Sequence, residues 1–185
     1  MEPRFRVIET ETFKFNQGGW TGGIKHRRDC GPRAVAIATD QPYQVVYDEL
    51  QRRQEELRLK SNSKWAYEKK PHTNKVHLGT AMIVVKEYLQ SLGWTWVATM
   101  GIGTGCKVHL KADELPKGRI LCRVSRHFVA VVDGVINDTY NGSREGTRCV
   151  YGYFYKEKKY KPMTDAEVLS QPYVQPTSEP TESDL

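Results

Sequence analysis

The sequence predicts an α+β protein in which N-terminal helices pack on a C-terminal antiparallel β-sheet. Three observations carry this. The apolar residues between Cys30 and Leu92 recur at helical spacing, those from Arg119 onward alternate as in strands, and Asp133-Gly134 joins two such strands as a hairpin turn. With 185 residues, 38% hydrophobic and 27% charged, the chain has the make-up of one soluble domain with a real core. We place that domain at residues 1–161 and an acidic, Pro/Ser/Thr-rich disordered tail at residues 162–185.

Residues 4–15 have strand composition, and NQGGWTGGIKHRRD after them is a glycine-rich loop that lacks phosphate-loop spacing. Cys30-Gly-Pro-Arg-Ala-Val-Ala-Ile opens a buried helix, with Pro32 in its first turn and Asp29 as cap. A second helix runs to about residue 59, started by Asp40 and Pro42, and its Gln51, Arg52, Arg53, Glu55 and Glu56 read as a solvated face. Residues 60–78, basic and turn-rich with Trp65, Tyr67, His72 and His77, read as a mobile surface loop. A third helix spans about Thr80 to Leu92, capped by Thr80 and stopped by Gly93. WTWVATM reads as a strand. Gly101, Gly103 and Gly105 miss the dinucleotide fingerprint and read as a bulged strand or loop near the site, with Cys106 and His109 unassigned. RILCRV and CVYGYFYKEKKY complete the strands.

The hairpin from Ser125 to Asn141 carries the chemistry. If Val132 pairs with Val135, His127 lies opposite Tyr140 and Asp138 opposite Val129. The imidazole and carboxylate then share a face as diagonal neighbours, roughly 7–8 Å apart at Cα, while Asn137 points the other way. Imidazole plus carboxylate is the orienting half of a nucleophilic triad. Cys30 is the candidate nucleophile, because a helix N-terminus flanked by Arg27, Arg28 and Arg33 favours a thiolate.

The other cysteines read as bland. Cys122 and Cys149 lie in apolar strands, no C-x-x-C pair supports a zinc site, and free thiols are expected in a reducing cytosol. No signal-like segment or membrane span is apparent, so the expected location is cytoplasmic, without membrane contact, metal or cofactor. Five acids and no Lys or Arg follow Lys161, so the first 161 residues carry +11 of a chain total of +6. A basic body can meet nucleic acid or an acidic partner, although solubility alone also explains it. Nucleic acid is not the favoured partner, and the sequence does not fix the oligomeric state.

The order of Asp29-Cys30-Gly31 at a helix start, then His127-Phe128-Val129, then Asp138 resembles the papain-like cysteine peptidases. In short motifs it is most similar to their bacteriocin-processing (double-glycine) peptidase domains. The resemblance implies a papain-like fold and a Cys-His-Asp hydrolase, a peptidase or isopeptidase acting on a protein or peptide through a thioester. The same triad serves acyltransferases, transglutaminases and deamidases, and such a scaffold can also persist as a non-catalytic binding protein. One departure stands out: the family's oxyanion-hole glutamine lies six residues before the cysteine, where this chain has Ile24. Gln17, Asn16 and His26 are the candidates for that role, beside the backbone N–H of Cys30.

Overall fold

The computed structural model describes residues 9–21, 28–60 and 75–157. Among these residues it is mixed α+β, with three helices and one six-stranded, mostly antiparallel sheet. The helices are α1 (Cys30–Thr39), α2 (Tyr43–Lys60) and α3 (Met82–Ser91). The strands are β1 (Phe13–Phe15), β2 (Thr95–Ala98), β3 (Arg119–Val124), β4 (His127–Val132), β5 (Val135–Asp138) and β6 (Val150–Tyr155), in the order β1-β5-β4-β3-β6-β2. The sheet is not a purely C-terminal antiparallel unit as expected. β1 comes from before the helices and joins β5 in parallel, with Phe13 opposite Ile136. Phe13 is 1% exposed, so burial of this single side chain fixes the N-terminal strand at the sheet edge.

Alternation along the strands divides the core between the two faces of the sheet. Phe128, Ala130, Leu121 and Phe154 meet Val35 and Ile37 of α1, Val46 and Leu50 of α2, and Val85 and Leu89 of α3. Val129, Val131, Ile120, Cys122 and Ile136 pack on the other face with Leu110 and Leu115. Cys122 is the buried core thiol that its apolar run predicts, and burial pushes its pKa up.

Helix boundaries follow the expected spans, but three expected caps do other work. The Asp29 carboxylate makes no cap bond and instead accepts hydrogen bonds from Arg33 Nε and the Tyr43 hydroxyl, both at 2.8 Å. Asp40 ends α1 rather than starting α2; it adopts a left-handed conformation at φ 59° and pairs with Arg119. The Thr80 hydroxyl donates back to the Val76 carbonyl, and Ala81 holds the cap position of α3. Gln51 is also not merely solvated. Its Oε1 accepts from the Val76 N–H, while the fully buried Gln54 donates to the Gly79 carbonyl and accepts from the Ala81 N–H. These two amides of α2 fasten residues 76–81, including a 3-10 turn at Val76–Leu78, where the sequence reading put a mobile loop up to residue 78. Trp65, Tyr67 and His72 of that loop lie outside the described residues, as does the acidic tail.

The glycine cluster at 101–105 is a loop, not a bulged strand, and it leads into Cys106. Cys106 and Cys149 form a disulfide with Cα atoms 5.7 Å apart, which overturns the expectation of free thiols and a core role for Cys149. Their separation of 43 residues hides the pairing in the sequence, and the chain brings them together by bridging His109 to Cys149 at the start of β6. His109 is itself anchored, with Nδ1 3.0 Å from Glu114 Oε2. Loop closure over this span is worth about 4 kcal/mol by chain-entropy reasoning. Cys106→Ser with Cys149→Ser is therefore expected to lower unfolding free energy by roughly 2–4 kcal/mol in a denaturant titration, leaving alkylation of Cys30 unchanged.

Candidate functional site

The hairpin forms with the expected register: Val132 faces Val135, Val131 faces Ile136 and Ala130 faces Asn137. Asp133 and Gly134 both have positive φ, 50° and 86°, as a two-residue turn of this kind demands. Asn137 accordingly turns toward α1, where its Oδ1 accepts from Asn16 Nδ2 at 3.1 Å. Asp138 turns the other way and meets His127, with Oδ2 2.6 Å from Nε2.

By strand alternation His127 and Asp138 belong to the face opposite α1, and in mid-strand the sheet would part them from Cys30. Each, however, is the terminal residue of its strand. At that end of the sheet one cavity of about 400 Å³ is lined by Cys30, His127 and Asp138 together. Cys30, the first residue of α1, lines this cavity beside the imidazole, near enough for its charge to act on it. Asp138 occupies Nε2, which leaves Nδ1 as the nitrogen for the sulfur. In the first helical turn Pro32 has no N–H and the Arg33 N–H goes to the Asp29 carbonyl at 3.2 Å, so only the N–H groups of Cys30 and Gly31 are left without a carbonyl four residues earlier.

His127 is buried among these groups. Burial opposes its protonation, but the hydrogen bonds and negative charges of Asp138 and Cys30 outweigh it and raise the pKa to about 9. Asp138 Oδ1 accepts from the Thr139 N–H at 2.6 Å, so both carboxylate oxygens are fixed. The Tyr140 ring lies 5.4 Å from the His127 ring and partly covers the pair. Covering matters because a charged hydrogen bond is stronger away from water.

The remaining walls were not all legible in the sequence. Leu78, Gly79 and Thr80 form one side, held in place by Gln51 and Gln54. Gly31 allows close approach here, since a Cβ would lie 2.7 Å from Thr80 Oγ1. Arg28, Arg33, Arg123 and Arg126 also line the cavity. Arg123 is fixed by donating from Nη1 to the carbonyls of Val124 and His127, and its guanidinium lies 4.9 Å over the Phe128 ring. No sequence motif announces Arg123, whereas the hairpin register already put Tyr140 beside His127.

The oxyanion candidates lie apart from this cavity or outside the described residues. Asn16 lines a different cavity of about 910 Å³, between β1, α1 and the β4–β5 turn. Gln17 lines neither; its Oε1 accepts from Arg33 Nη1 at 2.8 Å, which places it one side chain behind the Cys30 cavity. His26 lies outside the described residues. Among the described residues no cluster of His, Cys, Asp or Glu has the make-up of a metal site, and no helix is long and apolar enough to cross a membrane. Comparison with protein-family models, curated proteins and solved structures returns no match for this chain.

Proposed function

We propose that the protein is a papain-like cysteine hydrolase, a peptidase or isopeptidase, that uses Cys30 as nucleophile, His127 as acid and base, and Asp138 as the orienting carboxylate. The convergence of these three side chains on one cavity, from positions 30, 127 and 138, carries the reading. Structural histidines also bind carboxylates, but a structural pair needs no thiol at a helix N-terminus on its other side.

In the proposed reaction the Cys30 thiolate attacks an amide carbonyl and His127 Nδ1 delivers its proton to the departing amine. The C–N bond breaks and a thioester forms. His127 then takes a proton from water, whose oxygen attacks the thioester, and the C–S bond breaks to release the acid. Asp138 holds the imidazole in the required tautomer throughout by accepting from Nε2. The Cys30 N–H supplies one oxyanion donor; Arg123, on the cavity wall, is the candidate for the second, because Gln17 is held behind Arg33 outside the cavity.

An electrophilic peptide probe tests this. It is expected to label Cys30 alone, because Cys122 is fully buried and Cys106 and Cys149 are paired. Labelling that maps elsewhere, or that is indifferent to loss of His127, would rule the assignment out.

A further inference from the structure

The carboxylates of the Cys30 cavity are occupied, whereas among the described residues none of Arg28, Arg123 and Arg126 is paired with a carboxylate. Asp29 is taken by Arg33 and Tyr43, and Asp138 by His127 and the Thr139 N–H. Setting these pairs aside leaves Arg28, Arg123 and Arg126 as the charged lining. The backbone of Arg28 is fixed by its N–H to the His77 carbonyl at 3.0 Å, and Arg123 is near enough for its charge to interact with that of Cys30.

The positive lining continues beyond the cavity. Arg126 also lines a second cavity of about 550 Å³, with Ser125, Arg144, Thr147, Arg148 and Tyr151, and no carboxylate lines it among the described residues. Arg148 donates from Nη2 to the Ser125 carbonyl at 2.8 Å, yet its Nε is buried without an acceptor. A buried donor without a partner calls for an acceptor that the free protein does not supply. Arg126, the residue shared by both cavities, sits at φ 57°, a conformation suited to glycine. The chain places a guanidinium there in spite of the backbone cost.

We propose that this arginine-lined track is the substrate groove, and that it takes a peptide whose Asp or Glu side chains flank the bond presented to Cys30. The inference rests on Cys30 being the nucleophile. That chemistry also favours a peptide over a nucleic acid, which could satisfy the same charges, because the thiol needs an acyl carbon and a nucleic acid backbone has none. Carboxylates suit the planar fork of Arg126 as paired acceptors.

The experiment measures binding of two labelled hexapeptides, identical except for Glu against Gln at two positions, to the full chain carrying Cys30→Ser. Binding needs no catalysis, so its outcome is separate from that of the hydrolase reading, which iodoacetamide alkylation of wild-type Cys30 tests in parallel. The Glu peptide is expected to bind about tenfold more tightly at low salt, with the preference shrinking as ionic strength rises. Arg126→Gly should abolish most of the preference without loss of thermal stability, since glycine suits that backbone, and Arg148→Gln should reduce it. Equal affinities, a preference untouched by both substitutions, or tighter binding of a single-stranded oligonucleotide of matched charge would overturn the proposal.

Discussion

Cys30→Ala is expected to lower the rate of peptide hydrolysis by roughly 10⁴–10⁶-fold, the cost of losing a covalent nucleophile from a triad. The fold should tolerate the change. Cys30 is only half-buried at the edge of the helix-side core, and replacing its thiol by a methyl group should cost about 1 kcal/mol or less. No other thiol can stand in, since Cys122 is sealed in the sheet and Cys106 is bonded to Cys149. Turnover of a fluorogenic peptide and a thermal melt on the same preparation make the check. An unchanged melt with activity at background is the expected result, whereas hydrolysis at the wild-type rate would move the nucleophile elsewhere. Cys30→Ser separates chemistry from geometry: it keeps a nucleophilic atom at the helix start, but one far less acidic than a thiol, so it too should be nearly inactive.

The parts of this site that the sequence reveals are those set by neighbours along the chain. Asp133-Gly134 dictates a two-residue turn, the turn dictates parity, and parity alone chooses Asp138 over Asn137 as the partner of His127. Cys30 was legible for the same reason, because Gly31, Pro32 and the apolar run behind them mark a helix start. Most of what escaped is made by residues far apart in sequence. Asp29 and Asp40 look like caps locally, but a buried guanidinium and a distant strand arginine claim them. Gln51 looks like an exposed helix residue until the segment at 76–81 docks on it and on Gln54. Nothing local distinguishes Cys106 and Cys149 from free thiols. The parallel β1–β5 pairing is hidden likewise, as strand composition at 13–15 says nothing of which edge it will join.

These contacts converge on the two elements that carry Cys30 and His127. Arg33, one turn into α1, ties Asp29 to Gln17, and Tyr43 at the start of α2 binds the same carboxylate. The residue before Cys30 is thus clamped by the helix it introduces, by the helix after it and, through Gln17, by the chain after β1. On the sheet side, Arg123 bonds the carbonyl of His127 and holds the first residue of β4 from behind. The proposed nucleophile and base therefore sit on separately anchored supports whose relative position is set by α1 packing on β4. Such rigidity is what a near-attack geometry requires.

Asp138→Asn tests the electrostatics of this arrangement in a way that loss of Cys30 cannot. The amide keeps an oxygen for Nε2–H but removes the charge that, with Cys30, outweighs the burial of His127. With burial less opposed, the His127 pKa should fall well below its wild-type value of about 9, readable as an NMR titration of the imidazole. The stability consequence has a definite sign. A folded-state pKa raised above the unfolded value of about 6.5 stabilises the protein fully below that pH, and the contribution fades as pH rises through about 9. For this buried group the contribution is on the order of 3 kcal/mol. The variant should therefore be most deficient relative to wild type near pH 6 in denaturant titrations, and the two should converge above pH 9. Activity should drop by roughly 10²–10⁴-fold, because an imidazole without its carboxylate loses both its preferred tautomer and its protonated form at neutral pH. A stability deficit that is flat from pH 6 to pH 9.5 would mean that Asp138 only fills space, and that the proton on His127 is held by something other than this pair.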